Sequence, residues 1–157
     1  MRVAVLTISD SVSSGKAEDG SGPAVIDRCK SLGWEVVHSA VVADDRPAIE
    51  KFLKETADSH RAGLILTTGG TGLGPRDVTP EATAAVIERP IPGFAEQMRA
   101  VGAQKTPRAI LSRAVCGIRG QSIIVNLPGS PKGAVESLDV IAALLPHAID
   151  ILRGAKH

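Results

Sequence analysis

Two apolar runs stand out along the first half of the chain, "RVAVLTI" (2–8) and "LILTT" (64–68), and neither alternates with polar residues. That pattern belongs to parallel strands covered on both faces. "WEVVHSAVV" (34–42) lies between them as a third strand. Each strand runs into helical spacing. Pro23 marks a helix start, with Val25, Cys29 and Leu32 at i, i+4 and i+7. A second stripe, Ile49, Phe52, Leu53, Thr56 and Ala57, predicts a helix over 46–58, with Asp45 as its N-cap and Pro47 in its first turn. A third helix opens at Thr79, whose hydroxyl is suited to cap it, with Pro80 at its first position and Glu81 near the positive end of its dipole. Strand and helix in strict succession predict an α/β sheet.

Beyond Arg89 the rhythm changes. "RPIPG" breaks the chain, and 93–104 has weak helical spacing that Gly102 interrupts. "RAVCGIRGQSIIVNL" (113–127) reads as two strands across a turn near Arg119-Gly120, which adds an antiparallel pair to the sheet. The last stretch reads as helix, with Val135, Leu138, Ala142 and Leu145 as its apolar stripe. There is no linker, repeat or low-complexity segment. The expectation is a single domain over 1–157, a three-layer α/β/α fold with a mostly parallel sheet and an antiparallel strand pair.

Composition narrows the function classes. A domain of 157 residues buries roughly 70% of its unfolded surface and needs no staples. Eighteen Lys and Arg against 17 Asp and Glu give a net charge of +1, which argues against a nucleic-acid binder working by its field. Three aromatics, Trp34, Phe52 and Phe94, offer no stacking platform for single strands. No apolar run has the length of a membrane span, and "MRVAVLTISDS" enters a strand rather than a signal peptide. Cys29 and Cys116 form no framework and no Cys-x-x-Cys, as expected of a cytoplasmic protein. His38, His60, His147 and His157 are too scattered for a zinc site.

The chemistry concentrates after the third strand, in Gly69-Gly70-Thr71-Gly72-Leu73-Gly74. Glycines here admit positive φ and close approach of a ligand to the amides, and successive N–H groups make a nest for an anion. Open α/β sheets also place ligands at the C-terminal ends of their strands. The spacing fits neither a Walker A loop nor the Gly-x-Gly-x-x-Gly fingerprint. A bare glycine cluster is equally a tight strand-to-helix connection. Two carboxylates tip the balance. Asp77 follows the glycines, and Asp44 follows the second strand, so parallel strands bring both to one edge of the sheet. Carboxylates beside a phosphate nest repel the phosphate unless a cation lies between, and Mg²⁺ is the oxygen-seeking ion for that place. Each aspartate is also of a type that caps helices.

"TISDS" (7–11), "LTTGGTGLGPRDVTPEAT" (66–83), "PGFAEQMR" (92–99), "AILSRAVCGIRG" (109–120) and "IIVNLPGSPKGAVESL" (123–138) together resemble the MogA/MoaB family of molybdenum-cofactor biosynthesis proteins, nearly end to end. The gephyrin G domain shares that fold. The resemblance implies a homotrimer, with segment 89–112 as the candidate for its contacts. It implies binding of molybdopterin, a pterin with a dithiolene and a terminal phosphate. In the adenylyltransferase branch it implies reaction of molybdopterin with Mg-ATP to give adenylyl-molybdopterin and pyrophosphate, ahead of a molybdenum-insertion enzyme. Asp44 and Asp77 match the family's catalytic aspartates. Ser9, Asp10, Gly69, Gly70, Thr71, Gly72, Ser112, and Pro128, Gly129, Ser130 and Lys132 of "NLPGSPKG" match its ligand-binding surface. Ser130 and Pro131 are equally a helix N-cap and first position. Competence-damage-type pyrophosphatases have a Gly-Leu-Gly-Pro-Thr-x-Asp-Asp pattern where this chain has "GLGPRDVT". A non-catalytic molybdopterin-binding scaffold is the alternative function; the presence of both Asp44 and Asp77 favours catalysis.

Overall fold

A computed structural model describes residues 1–155; His157 lies outside them. In chain order the elements are β1 (Arg2–Ile8), α1 (Asp10–Ser13), α2 (Ser21–Ser31), β2 (Glu35–Val42), α3 (Arg46–Asp58), β3 (Leu64–Thr68), α4 (Thr79–Val86), β4 (Arg89–Pro90), α5 (Pro92–Lys105), a 3₁₀ turn (Pro107–Leu111), β5 (Cys116–Arg119), β6 (Ser122–Leu127), α6 (Pro131–Ile141) and α7 (Leu145–Leu152). The strands form one sheet in the order β2-β1-β3-β6-β5-β4. The first four run parallel, and β5 pairs antiparallel with both β6 and β4.

β3 and β6 lie inside the sheet and are buried at every position, which is why apolar residues follow one another without alternation in Leu64–Leu66 and Ile123–Val125. β2 forms one edge and is only partly covered along its length. Alternate residues of the central strands point into two separate cores. On one face Val3, Val5, Leu64, Leu66, Ile123 and Val125 pack under α2, α5, α6 and α7. On the other, Ala4, Leu6, Ile65 and Ile124 pack under α3 and α4. Burying each large aliphatic side chain contributes roughly 1.5–3 kcal/mol. The three-layer expectation holds in this arrangement.

The structure corrects several local expectations. α2 starts at Ser21, two residues before Pro23. Gly102 does not interrupt α5, because a Cβ there would stand 2.9 Å from Ala109 Cβ, and the glycine lets the 3₁₀ turn pack closely on the helix. The final helical stretch is two helices; Leu138, Ala142 and Leu145 are buried as expected, together with Ala134, Ile141 and Ile149, while Val135 is only half-buried. Asp45 caps α3 as expected, its Oδ2 accepting from Ala48 N at 3.0 Å, and Ser130 caps α6 through Gly133 N at 3.1 Å. Thr79 does not cap α4. It is the first helical residue, and its hydroxyl donates backwards to Gly69 O at 2.9 Å, which ties the helix start to the glycine turn. No helix among the described residues is long and apolar enough to cross a membrane.

Candidate active site

β1, β2 and β3 are in parallel register, with Ile8 opposite Val42 and Thr7 opposite Thr68. Their C-terminal ends therefore release Ser9-Asp10, Ala43-Asp44 and Gly69-Gly70 at one edge of the sheet. A cleft of about 450 Å³ opens there, lined by Ser9, Asp44, Gly69, Gly70, Asp77 and Gly129. Thr7, Asp19, Gly20 and Ser21 also line its wall.

The glycine turn is shaped by its neighbours. Gly69 and Gly70 have φ of 104° and 65°, and a Cβ on Gly69 would lie 2.2 Å from Ile8 O. A Cβ on Gly70 would lie 2.3 Å from Thr79 Oγ1 and 3.0 Å from Asp44 Oδ1. A Cβ on Gly72 would lie 2.9 Å from Asp77 Oδ2. The turn's bare backbone is thus what lets both carboxylates close on it. Gly69 N donates to Leu127 O and Gly74 N to Asp77 Oδ2. The amides of Gly70, Thr71 and Gly72 donate to no protein acceptor among the described residues.

Asp10 and Asp44 are linked in both directions. Asp10 N donates to Asp44 Oδ2 at 2.9 Å, and Asp44 N donates to Asp10 Oδ1 at 3.0 Å. Arg76 holds the Asp10 carboxylate with two hydrogen bonds of 3.0 and 3.1 Å, and that guanidinium keeps Asp10 below the usual carboxylate range. Asp44 has no such counter-ion of its own. Burial pushes its carboxyl up, and the negative charges of Asp10 and Asp77 push the same way, against the Asp10 amide and Arg76. The hydrogen bonds named here use Oδ2 of Asp44 and of Asp77, leaving an Oδ1 on each for a ligand. No group of three or more metal-ligating side chains converges among the described residues. Two carboxylates with uncompensated charge suit Mg²⁺ nonetheless, since that ion commonly takes one or two carboxylates and completes its shell with waters and substrate phosphates. Asp44 and Asp77 fit the group the sequence implied.

The remaining expected residues fall elsewhere. Ser112, Pro128 and Ser130 line a second, mostly apolar hollow of about 250 Å³, bordered by Met98, Ala109 and Val140. The two hollows meet at the Pro128–Pro131 stretch, since Gly129 and Pro131 face the first and Pro128 and Ser130 the second. Thr71 and Gly72 belong to the glycine turn but line neither hollow, and Lys132 is exposed on the first turn of α6 outside both. Sequence reasoning missed Asp19, which accepts from Thr7 Oγ1 at 2.7 Å and Gly22 N at 2.9 Å and so fixes the wall of the cleft. The glycines of "EDGSGP" were its signal. It also missed Arg76 and Arg113, which no spacing rule singles out.

Fold and site together define an α/β protein whose strand ends present free amides and two carboxylates at the edge of the sheet where such folds place ligands. Comparison with known proteins makes the family specific. The family model described as "Probable molybdopterin binding domain" matches residues 4–147. The molybdopterin adenylyltransferase of Helicobacter pylori strain J99 is 42% identical over 156 residues, covering 98% of this chain and 89% of that protein. The molybdopterin adenylyltransferase of Escherichia coli K12 is 39% identical over 169 residues, covering 98% and 86%. The crystal structure of the molybdopterin biosynthesis enzyme MoaB from Thermus thermophilus superposes with a TM-score of 0.92 at 48% identity, covering 98% of this chain and 97% of that one. The chain belongs to the molybdopterin-binding MogA/MoaB family.

Proposed function

We propose that this chain, as one domain over 1–157, is a molybdopterin adenylyltransferase. The reaction joins a terminal phosphate oxygen of molybdopterin to the α-phosphorus of ATP, breaks the α–β phosphoanhydride and releases pyrophosphate. Such transfer needs positioning and charge neutralisation more than covalent help from the protein. The two cysteines support that division of labour. Burial pushes the Cys29 thiol up to about 11 and the Cys116 thiol up to about 12, so neither supplies a thiolate nucleophile.

The observation that carries the proposal is the pair Asp44 and Asp77 closing on the glycine turn, with an oxygen of each unengaged. They are the catalytic residues and would hold Mg²⁺, which when bound would neutralise triphosphate oxygens. The amides of Gly70, Thr71 and Gly72 would receive phosphate, and Ser9 and Asp10 would border the nucleotide. The neighbouring apolar hollow, with Ser112, Pro128 and Ser130, has the character expected of a pterin site, while Gly129 joins the two compartments and Lys132 stands outside as a long-range cation. The proposal includes a homotrimer in the cytoplasm that passes its product to a molybdenum-insertion enzyme.

Purified protein incubated with molybdopterin, Mg²⁺ and ATP is expected to yield adenylylated pterin and pyrophosphate, read by mass spectrometry. Asp77→Asn is expected to lower transfer by orders of magnitude while leaving molybdopterin binding in place. Binding without any transfer in the wild type would instead identify a scaffold. Full activity in Asp77→Asn would end the catalytic assignment.

A further inference from the structure

Arg113 lies between the 3₁₀ turn and β5 and lines neither hollow. Its bonds nevertheless converge on the glycine turn. Its backbone N donates to Thr71 O at 2.9 Å. Its Nε donates to Gly72 O at 2.8 Å, and its Nη2 donates to Asp77 O at 2.7 Å. The third guanidinium nitrogen, Nη1, pairs with Glu81 on α4. One planar fork thus grips both ends of the stretch Gly72–Asp77 from behind.

That stretch has little else to hold it. Leu73 is 67% exposed, and Gly74, Pro75 and Arg76 are also exposed. Its internal ties run only between Gly74 and Asp77. Arg76 reaches across to Asp10, but through a long, solvent-exposed side chain. The Arg113 side chain is more enclosed, at 35% exposure, and its Glu81 partner keeps the guanidinium plane oriented.

We infer that Arg113 is a positioning residue for adenylyl transfer: its guanidinium bridges the carbonyls of Gly72 and Asp77 and so fixes where the Asp77 carboxylate stands in the cleft. It acts through Asp77 and does not touch substrate. A misplacement of about 1 Å in a reacting site can cost on the order of 100-fold in rate. Lysine cannot take over this task, since a compact ammonium does not span two carbonyls as a rigid fork does. The inference rests on the role proposed for Asp77.

The test compares wild type, Arg113→Ala, Arg113→Lys, Asp77→Asn and the double variant Arg113→Ala/Asp77→Asn. Single-turnover adenylyl transfer, KM for molybdopterin, melting temperature and amide hydrogen exchange are read for each. Arg113→Ala is expected to lower the transfer rate by roughly 10- to 100-fold with KM for molybdopterin unchanged. Amides of residues 72–77 are expected to exchange faster, with exchange in the central strands unaltered. In the Asp77→Asn background the same change is expected to cost nothing more, because the group it positions is already lost. Added guanidinium ion is expected to restore part of the rate to Arg113→Ala. Should Arg113→Ala fail to fold, Arg113→Lys keeps stem and charge and is expected to fold with reduced transfer. Wild-type transfer in a folded Arg113 variant, beside an inactive Asp77→Asn, would overturn the inference alone. Equal losses in both backgrounds would also overturn it. A fully active Asp77→Asn would overturn the reading of the site and this inference together.

Discussion

Asp44 shows how the site trades stability for charge. Its carboxyl is pushed above the ordinary value by burial first, and then by the charges of Asp10 and Asp77. A carboxyl raised in the folded state favours folding at acid pH, and that contribution is lost as pH rises through the folded value. At neutral pH the ionised Asp44 therefore opposes folding. Asp44→Asn is expected to melt slightly higher than wild type at pH 7, measured calorimetrically, while adenylyl transfer falls steeply. The double variant with Asp77→Asn is expected to lose less than the two single losses combined, as the proposal that both groups serve one ion requires. Gly72 offers a finer probe. Gly70 sits at φ 65°, and its Cβ would collide with Thr79, so a substitution there loses fold and site together. At Gly72 the only close atoms belong to the Asp77 carboxylate. Gly72→Ala is expected to lower the transfer rate far more than the melting temperature.

At the scale of elements, one buried side chain joins three of them. Asn126 on β6 accepts from Val115 N at 3.0 Å and donates to Thr67 on β3 and Thr83 on α4, both at 2.9 Å. Asn126→Ala leaves the half-buried Val115 N–H and the buried Thr67 and Thr83 hydroxyls without that partner, and opens a small void at the end of β6. Such losses cost about 1–3 kcal/mol for the unsatisfied group alone. The expected outcome is a clear drop in the denaturation midpoint with the slope unchanged. Thr68 and Thr79 fasten the same region, donating to Pro128 O at 2.6 Å and Gly69 O at 2.9 Å. The three hydroxyl- and amide-bearing residues lock the ends of β3 and β6 to the turns that carry the site.

For the whole molecule, light scattering at micromolar concentration is expected to report a trimer. Segment 89–112, the candidate for its contacts, contains Ile110 and Leu111, whose side chains are 63% and 50% exposed. A strict monomer would overturn that expectation. Both cysteines are buried in the core, Cys29 on α2 and Cys116 on β5, so the folded protein is expected to resist alkylation at pH 8 and to react only on unfolding.

Hydrophobic patterning determined the parallel strands, because a strand covered on both faces is buried at every position, as β3 is, and so carries a run of apolar residues without alternation. It also determined α3 and its Asp45 cap, since periodicity and capping act within a few residues. Asp44 and Asp77 were legible for a related reason, as consecutive parallel strands end at one edge. Tertiary structure alone decided what depends on contacts distant in sequence. The Thr79 hydroxyl turned from its helix to Gly69 because a carbonyl ten residues back lay closer to hand. The expected ligand surface divided between two hollows because Ser112 and Ser130 approach α5 and α6 while Gly129 faces Gly69. The grip of Arg113 on Gly72 and Asp77 spans 41 and 36 residues, and no local rule registers a hydrogen bond of that reach.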